Sequence, residues 1–130
     1  MFKTGDLFNQ KFTVSTEVYT SFIHLSNDKN PLHTDEEFAK KKGFKGMVMH
    51  GNILNGFLSY FIGECLPTKN VIIHSQEIQF KNPVYLNDDL NFQAEVTDFF
   101  ESVNAVEFKY NFKNNDLKTV AKGKIQIGLL

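Results

Sequence analysis

A chain of 130 residues with 42% hydrophobic and 22% charged side chains has the make-up of one globular domain, residues 1–130, resting on its own core. Fourteen basic against fifteen acidic side chains leave a formal charge of -1, without the basic footprint of a nucleic-acid binder. The single cysteine excludes an internal disulfide, no apolar run approaches the ~20 residues of a membrane span, and residues 1–6 lack the order of a signal peptide, so a cytoplasmic chain free of the membrane is expected.

Residues 7–14 alternate loosely and predict a short strand. Ser15 or Thr16 then offers a hydroxyl cap for a helix running to about Leu25, with Val18, Phe22 and Leu25 as its buried stripe and Tyr19 and Ile23 beside it. Where this helix ends, the segment Ser26-Asn27-Asp28-Lys29-Asn30-Pro31-Leu32-His33 begins. Its proline fixes φ and pushes Asn30 out of the helical region, so the chain turns between Asp28 and His33. A carboxylate and an imidazole five residues apart around a rigid turn are the components of general acid-base catalysis.

Thr34-Asp35-Glu36-Glu37 has the pattern of a capping box, and Lys40-Lys41-Lys42-Gly43 supplies cations and a glycine stop at the far end of the same short helix. The lysine run is therefore read as a helix terminus. A connector over residues 44–49 enters His50-Gly51-Asn52, and from there to Leu66 the pattern is strongly helical. Ile53, Leu54, Phe57, Leu58, Phe61, Ile62 and Cys65 recur at intervals of three and four, apolar around most of the circumference, until Pro67 ends the helix.

Beyond Pro67 the rhythm changes to period two, over residues 71–80, 90–97, 103–112 and 119–127. Asn87-Asp88-Asp89 and Asn114-Asn115-Asp116 are turn clusters between these strands. Helices first and strands afterwards predict an α+β fold, an antiparallel sheet curled around one long apolar helix. Fourteen phenylalanines suit the core or an apolar channel. No spacing among the four histidines and Cys65 matches a zinc site, so no metal or other cofactor is expected; His24 and His74 read as bystanders and Cys65 as packing.

Phe22, Ser26, Asp28, Asn30, Pro31, Leu32, His33 and Ala39, followed by Phe44, Val48, His50 and Gly51, resemble the hydratase-2 motif of the MaoC-like, R-specific enoyl-CoA hydratases. Leu66-Pro67, Phe80-Lys81-Asn82-Pro83-Val84 and Asp88-Asp89-Leu90 extend the resemblance over nearly the whole chain. It implies a single hot-dog fold and reversible hydration of a trans-2-enoyl thioester of CoA or acyl carrier protein to an (R)-3-hydroxyacyl thioester. By the same resemblance Asp28 and His33 handle the water, and Asn30 braces the loop or the catalytic pair. The Gly51 N–H is expected to be the oxyanion donor, Ser59 to face the site and steady Asp28, and His50 to belong to the substrate-binding set, with a structural hydrogen bond at the helix entry as its other reading. Similar single-domain proteins pair as homodimers, so a dimer is expected. Asn52, Asn55, Met47 and Met49 depart from the common pattern and point to an unusual pocket, with loose core packing as the other reading of the methionines. The rival readings are a hot-dog acyl thioesterase and a non-catalytic acyl-binding subunit.

Overall fold

The computed structural model describes residues 1–130. Strand β1 (Leu7–Thr13) leads to α1 (Thr16–Ser26), two short helices α2 (Pro31–Thr34) and α3 (Glu36–Lys41), and α4 (Ile53–Tyr60), which runs on through a π-helical turn at Phe61–Cys65. Strands β2 (Val71–Phe80), β3 (Asp89–Phe100), β4 (Ala105–Lys113) and β5 (Thr119–Leu129) complete the chain. All five strands form one antiparallel sheet in the order β1-β3-β4-β5-β2, and the α+β expectation holds.

Local chemistry accounts for the element ends. The Ser15 hydroxyl accepts the Val18 N–H at 3.2 Å and so caps α1, while the Asp35 carboxylate accepts the Phe38 N–H and caps α3. Gly43, at φ +94°, closes the lysine-rich end of α3 in a left-handed conformation open to glycine. From Leu90 to Val96 in β3 and from Val106 to Phe112 in β4 the alternation is unbroken: Leu90, Phe92, Ala94, Val96, Val106, Phe108, Tyr110 and Phe112 are buried, and the residues between them are not. These side chains meet Leu54, Leu58, Phe61 and Ile62 from the central helix in a single core. Phe61 sits 4.8 Å from Phe92 and 5.6 Å from Phe108 by ring centroids, and Phe57 stacks on Phe12 at 4.4 Å. The phenylalanines are thus largely spent on holding the helix against the sheet.

Four details differ from the periodicity. Leu25 does not join a buried stripe but stands 80% exposed, because α1 lies at the rim and buries none of its residues completely. The central helix is not covered all round either: the sheet takes one face, and Gly56, Ser59 and Tyr60 remain on the exposed one. Strand β3 continues past Thr97 through a bulge between Val96 and Asp98, which resets the phase and turns Phe99 inward. Residues 101–103 form a 3-10 turn, not the start of a strand, and Asn104 reverses the chain at φ +49° before β4 begins. No helix is long and apolar enough to cross a membrane.

Candidate active site

The loop leaving α1 is built by side chains that bond their own neighbours. Asn27 ends the helix in the left-handed region, at φ +54°. The Ser26 hydroxyl donates back to the Phe22 carbonyl and accepts the Asp28 N–H at 3.1 Å. Oδ1 of Asp28 accepts the Asn30 N–H at 3.1 Å, and Oδ1 of Asn30 accepts the Leu32 N–H at 2.9 Å, so Asn30 caps α2 with Pro31 as its first residue. Thr34 closes the turn by donating to the Lys29 and Asn30 carbonyls.

This chain of local bonds leaves Oδ2 of Asp28 free to face His33, whose Nε2 lies 3.8 Å away. The separation exceeds a direct hydrogen bond and leaves both atoms within reach of one water lying to the side of the line between them. Nδ1 of His33 donates to the Val48 carbonyl at 2.7 Å, which fixes the tautomer and leaves Nε2 as the nitrogen available for proton transfer. The phenol of Tyr19 supports the same residue from α1 by donating to the His33 carbonyl at 2.6 Å. Burial holds the Tyr19 phenol above its ordinary pKa, so it stays a donor. Sequence patterning placed Tyr19 beside a packing stripe and gave no signal of this contact.

The Val48 segment is itself anchored, with Val48 N–H donating to Leu32 and Met49 N–H to Val84, and it delivers His50 and Gly51 to the start of α4. The Gly51 N–H has no acceptor within the chain. Gly51 and His33 both line a cavity of about 330 Å³ whose walls include Phe44, Val48, Met49 and Phe80. A free N–H at a helix entry is suited to receiving negative charge. A side chain at position 51 would meet Cε1 of Phe80 at 2.8 Å, so the glycine keeps this approach narrow and clear. Of the two methionines singled out as departures, Met49 lines the cavity and Met47 packs against the core.

Ser59 and His50, both expected at the site, do not line the cavity. Ser59 lies on the exposed side of α4 and makes no hydrogen bond to Asp28, so within one chain it does not steady that carboxylate. His50 is 3% exposed and turns away from the cavity, its Nε2 donating to the backbone carbonyl of Asp28 at 2.8 Å and its ring stacked on His33 at a centroid distance of 3.9 Å. The structural reading of His50 is therefore the one the geometry favours over substrate contact. Cys65 is half-buried, with its thiol pushed up by burial.

Spatially, Asp28, His33 and His50 bring ligand-type atoms within 4.8 Å of one another, a cluster that the linear spacing did not reveal. A cation among them would need the Nε2 lone pair of His50, and that nitrogen carries the proton given to Asp28. The arrangement is better matched to proton transfer than to metal ligation.

A family described as MaoC like domain matches residues 3–117. An (R)-specific enoyl-CoA hydratase of Rhodospirillum rubrum is 32% identical over 107 residues, covering 82% of this chain and 74% of that protein. A mitochondrial 3-hydroxyacyl-acyl-carrier-protein dehydratase of Arabidopsis thaliana is 28% identical over 127 residues, 95% of this chain and 75% of that one. Among solved structures, an (R)-hydratase from Aeromonas caviae superposes with a TM-score of 0.91 at 26% identity, covering 99% of this chain and 98% of the other.

Proposed function

The chain belongs to the MaoC-like domain family, with its hot-dog fold and its hydratase and dehydratase lyases, and from that premise we propose that it reversibly hydrates a trans-2-enoyl thioester to an (R)-3-hydroxyacyl thioester. The observation that carries the reading is that His33 and Gly51, whose N–H is unpaired, line one cavity, with Oδ2 of Asp28 3.8 Å from Nε2 of His33. The thioester carbonyl accepts from Gly51 N–H, which draws charge off the double bond and makes the β-carbon electrophilic. A water held between Asp28 and His33 adds through its oxygen to the β-carbon and gives up a proton to Asp28. The protonated Nε2 of His33 supplies a proton to the α-carbon, and transfer from carboxyl to imidazole resets the pair. His33 lines the cavity and Asp28 does not, which supports His33 as the group that reaches the carbon and leaves the water's proton to Asp28. The acyl carrier is CoA or acyl carrier protein, and the apolar walls at Phe44, Val48 and Met49 take the acyl chain.

The test is incubation with crotonyl-CoA, following absorbance of the conjugated thioester and the chirality of the product. Loss of the enoyl signal with formation of the (R)-3-hydroxy product is expected; release of free CoA would replace this reading with a thioesterase. No change on CoA and carrier-protein thioesters of several lengths would leave an acyl-binding subunit.

We also infer a homodimer. Strand β2 is an edge of the sheet, ten residues long, with Ile72 51%, Ile73 37% and Phe80 53% exposed. A long apolar edge left open is an aggregation site, so natural sheets cover it. Sedimentation should give twice the 14.9 kDa chain mass, and a purely monomeric species at micromolar concentration would contradict the pairing.

A further inference from the structure

The imidazole of His50 is buried at a cost that packing does not explain. Its ring lies among aromatic neighbours, 4.9 Å from Phe22 and 6.0 Å from Tyr19, and stacks on His33 with the planes 26° apart. A phenylalanine would fill such a slot without a polar atom. Nδ1 of His50 is fully buried and has no hydrogen-bond partner, a loss of solvation that the fold does not repay there. The one hydrogen bond the side chain makes is from Nε2 to the Asp28 carbonyl, across 22 positions of sequence. That bond joins the entry of α4 to the loop that presents the carboxylate.

We propose that His50 is a positioning residue for the catalytic pair, an inference that rests on the hydratase reading above. Three parts of the site meet in this residue. It holds the Asp28 backbone by hydrogen bond, supports the face of the His33 ring by stacking, and is covalently next to Gly51. The loop's other bonds fix its internal shape, while this one sets where the loop stands relative to the oxyanion donor. Misplacement of about an ångström is enough to lower a rate by orders of magnitude when the reacting groups must be aligned.

The test compares His50→Phe and His50→Gln with the parent chain in the crotonyl-CoA assay, in thermal unfolding, and in backbone amide NMR. Phenylalanine keeps the ring and discards both nitrogens; glutamine keeps a donor amide able to reach the Asp28 carbonyl. His50→Phe is expected to melt at the same or a higher temperature, yet to lose about tenfold or more in kcat with KM little changed. Its amide signals at Asp28, Lys29 and Asn30 should broaden, and His50→Gln should recover much of both the rate and the signals. A lower melting temperature with unchanged kcat and unchanged loop signals would make His50 a packing residue and overturn the proposal. Were the parent chain inactive on every thioester, the hydratase reading would fall. The loop signals would then still decide: sharp and unshifted in His50→Phe, they refute the positioning role.

Discussion

Asp28→Asn and His33→Gln are each expected to lower hydration of crotonyl-CoA by about two or more orders of magnitude, the range for loss of a general acid or base. Neither substitution should disturb the fold. Asp28 has 47% of its side chain exposed, and an asparagine there keeps an oxygen to accept the Asn30 N–H that shapes the loop. What it loses is the charge and proton affinity on the oxygen facing His33. In His33→Gln the amide can still donate toward the Val48 carbonyl, but nothing remains that can exchange a proton near neutral pH. Initial rates, read beside circular dichroism to establish folding, check the prediction. Folded variants that both turn over at near the parent rate would remove the pair from the chemistry.

Gly51→Ala is expected to cost about two orders of magnitude in turnover, comparable to loss of one oxyanion donor, although the N–H itself survives. The reason is space. The added methyl would stand 2.8 Å from Cε1 of Phe80 and 3.1 Å from two further ring carbons, closer than carbon atoms pack. Phe80 is half exposed at the end of β2, so its ring can yield, and it yields at the wall of the cavity in which the thioester must lie. A double variant, Gly51→Ala with Phe80→Ala, should recover a substantial part of the loss if the obstruction is steric. Parent-like kinetics for Gly51→Ala alone would mean that substrate does not approach the backbone at this point.

Much of the fold was legible because its signals are local. Ser15 is a hydroxyl cap standing where a helix begins, and the inward residues of β3 alternate without interruption until Val96; the capping box read at Thr34 is off by one residue, since Asp35 caps α3 and Thr34 closes the turn before it. The pattern failed where one residue is inserted: the bulge after Val96 shifts the phase by one, so Phe99 packs inward although the earlier alternation would have put it outside. The helix α4 misled for a different reason. Periodicity counts apolar residues around a helix but cannot say which arc the sheet will take, and Ser59 fell on the arc it does not. In the site, Asp28, Asn30 and His33 could be read from their proximity in the chain. Tyr19, His50 and Phe80 act through contacts 14, 22 and 29 positions away from their partners His33, Asp28 and Gly51, and such distances leave no trace in spacing.

The bonds that shape the Asp28 loop, Ser26 to Asp28, Asp28 to Asn30, Asn30 to Leu32 and Thr34 to Lys29, each join residues two to five positions apart. Contacts of that range close at little entropic cost and reopen as easily, whereas the strands depend on pairings such as Leu7 with Glu95 that stand or fall together. The Asp28 loop, pinned to the body of the protein by a few distant ties, is therefore expected to open as a unit of its own. Its opening free energy is smaller than that of the whole domain. Heat or denaturant should silence the enzyme while the sheet still stands, and cooling should restore it without refolding.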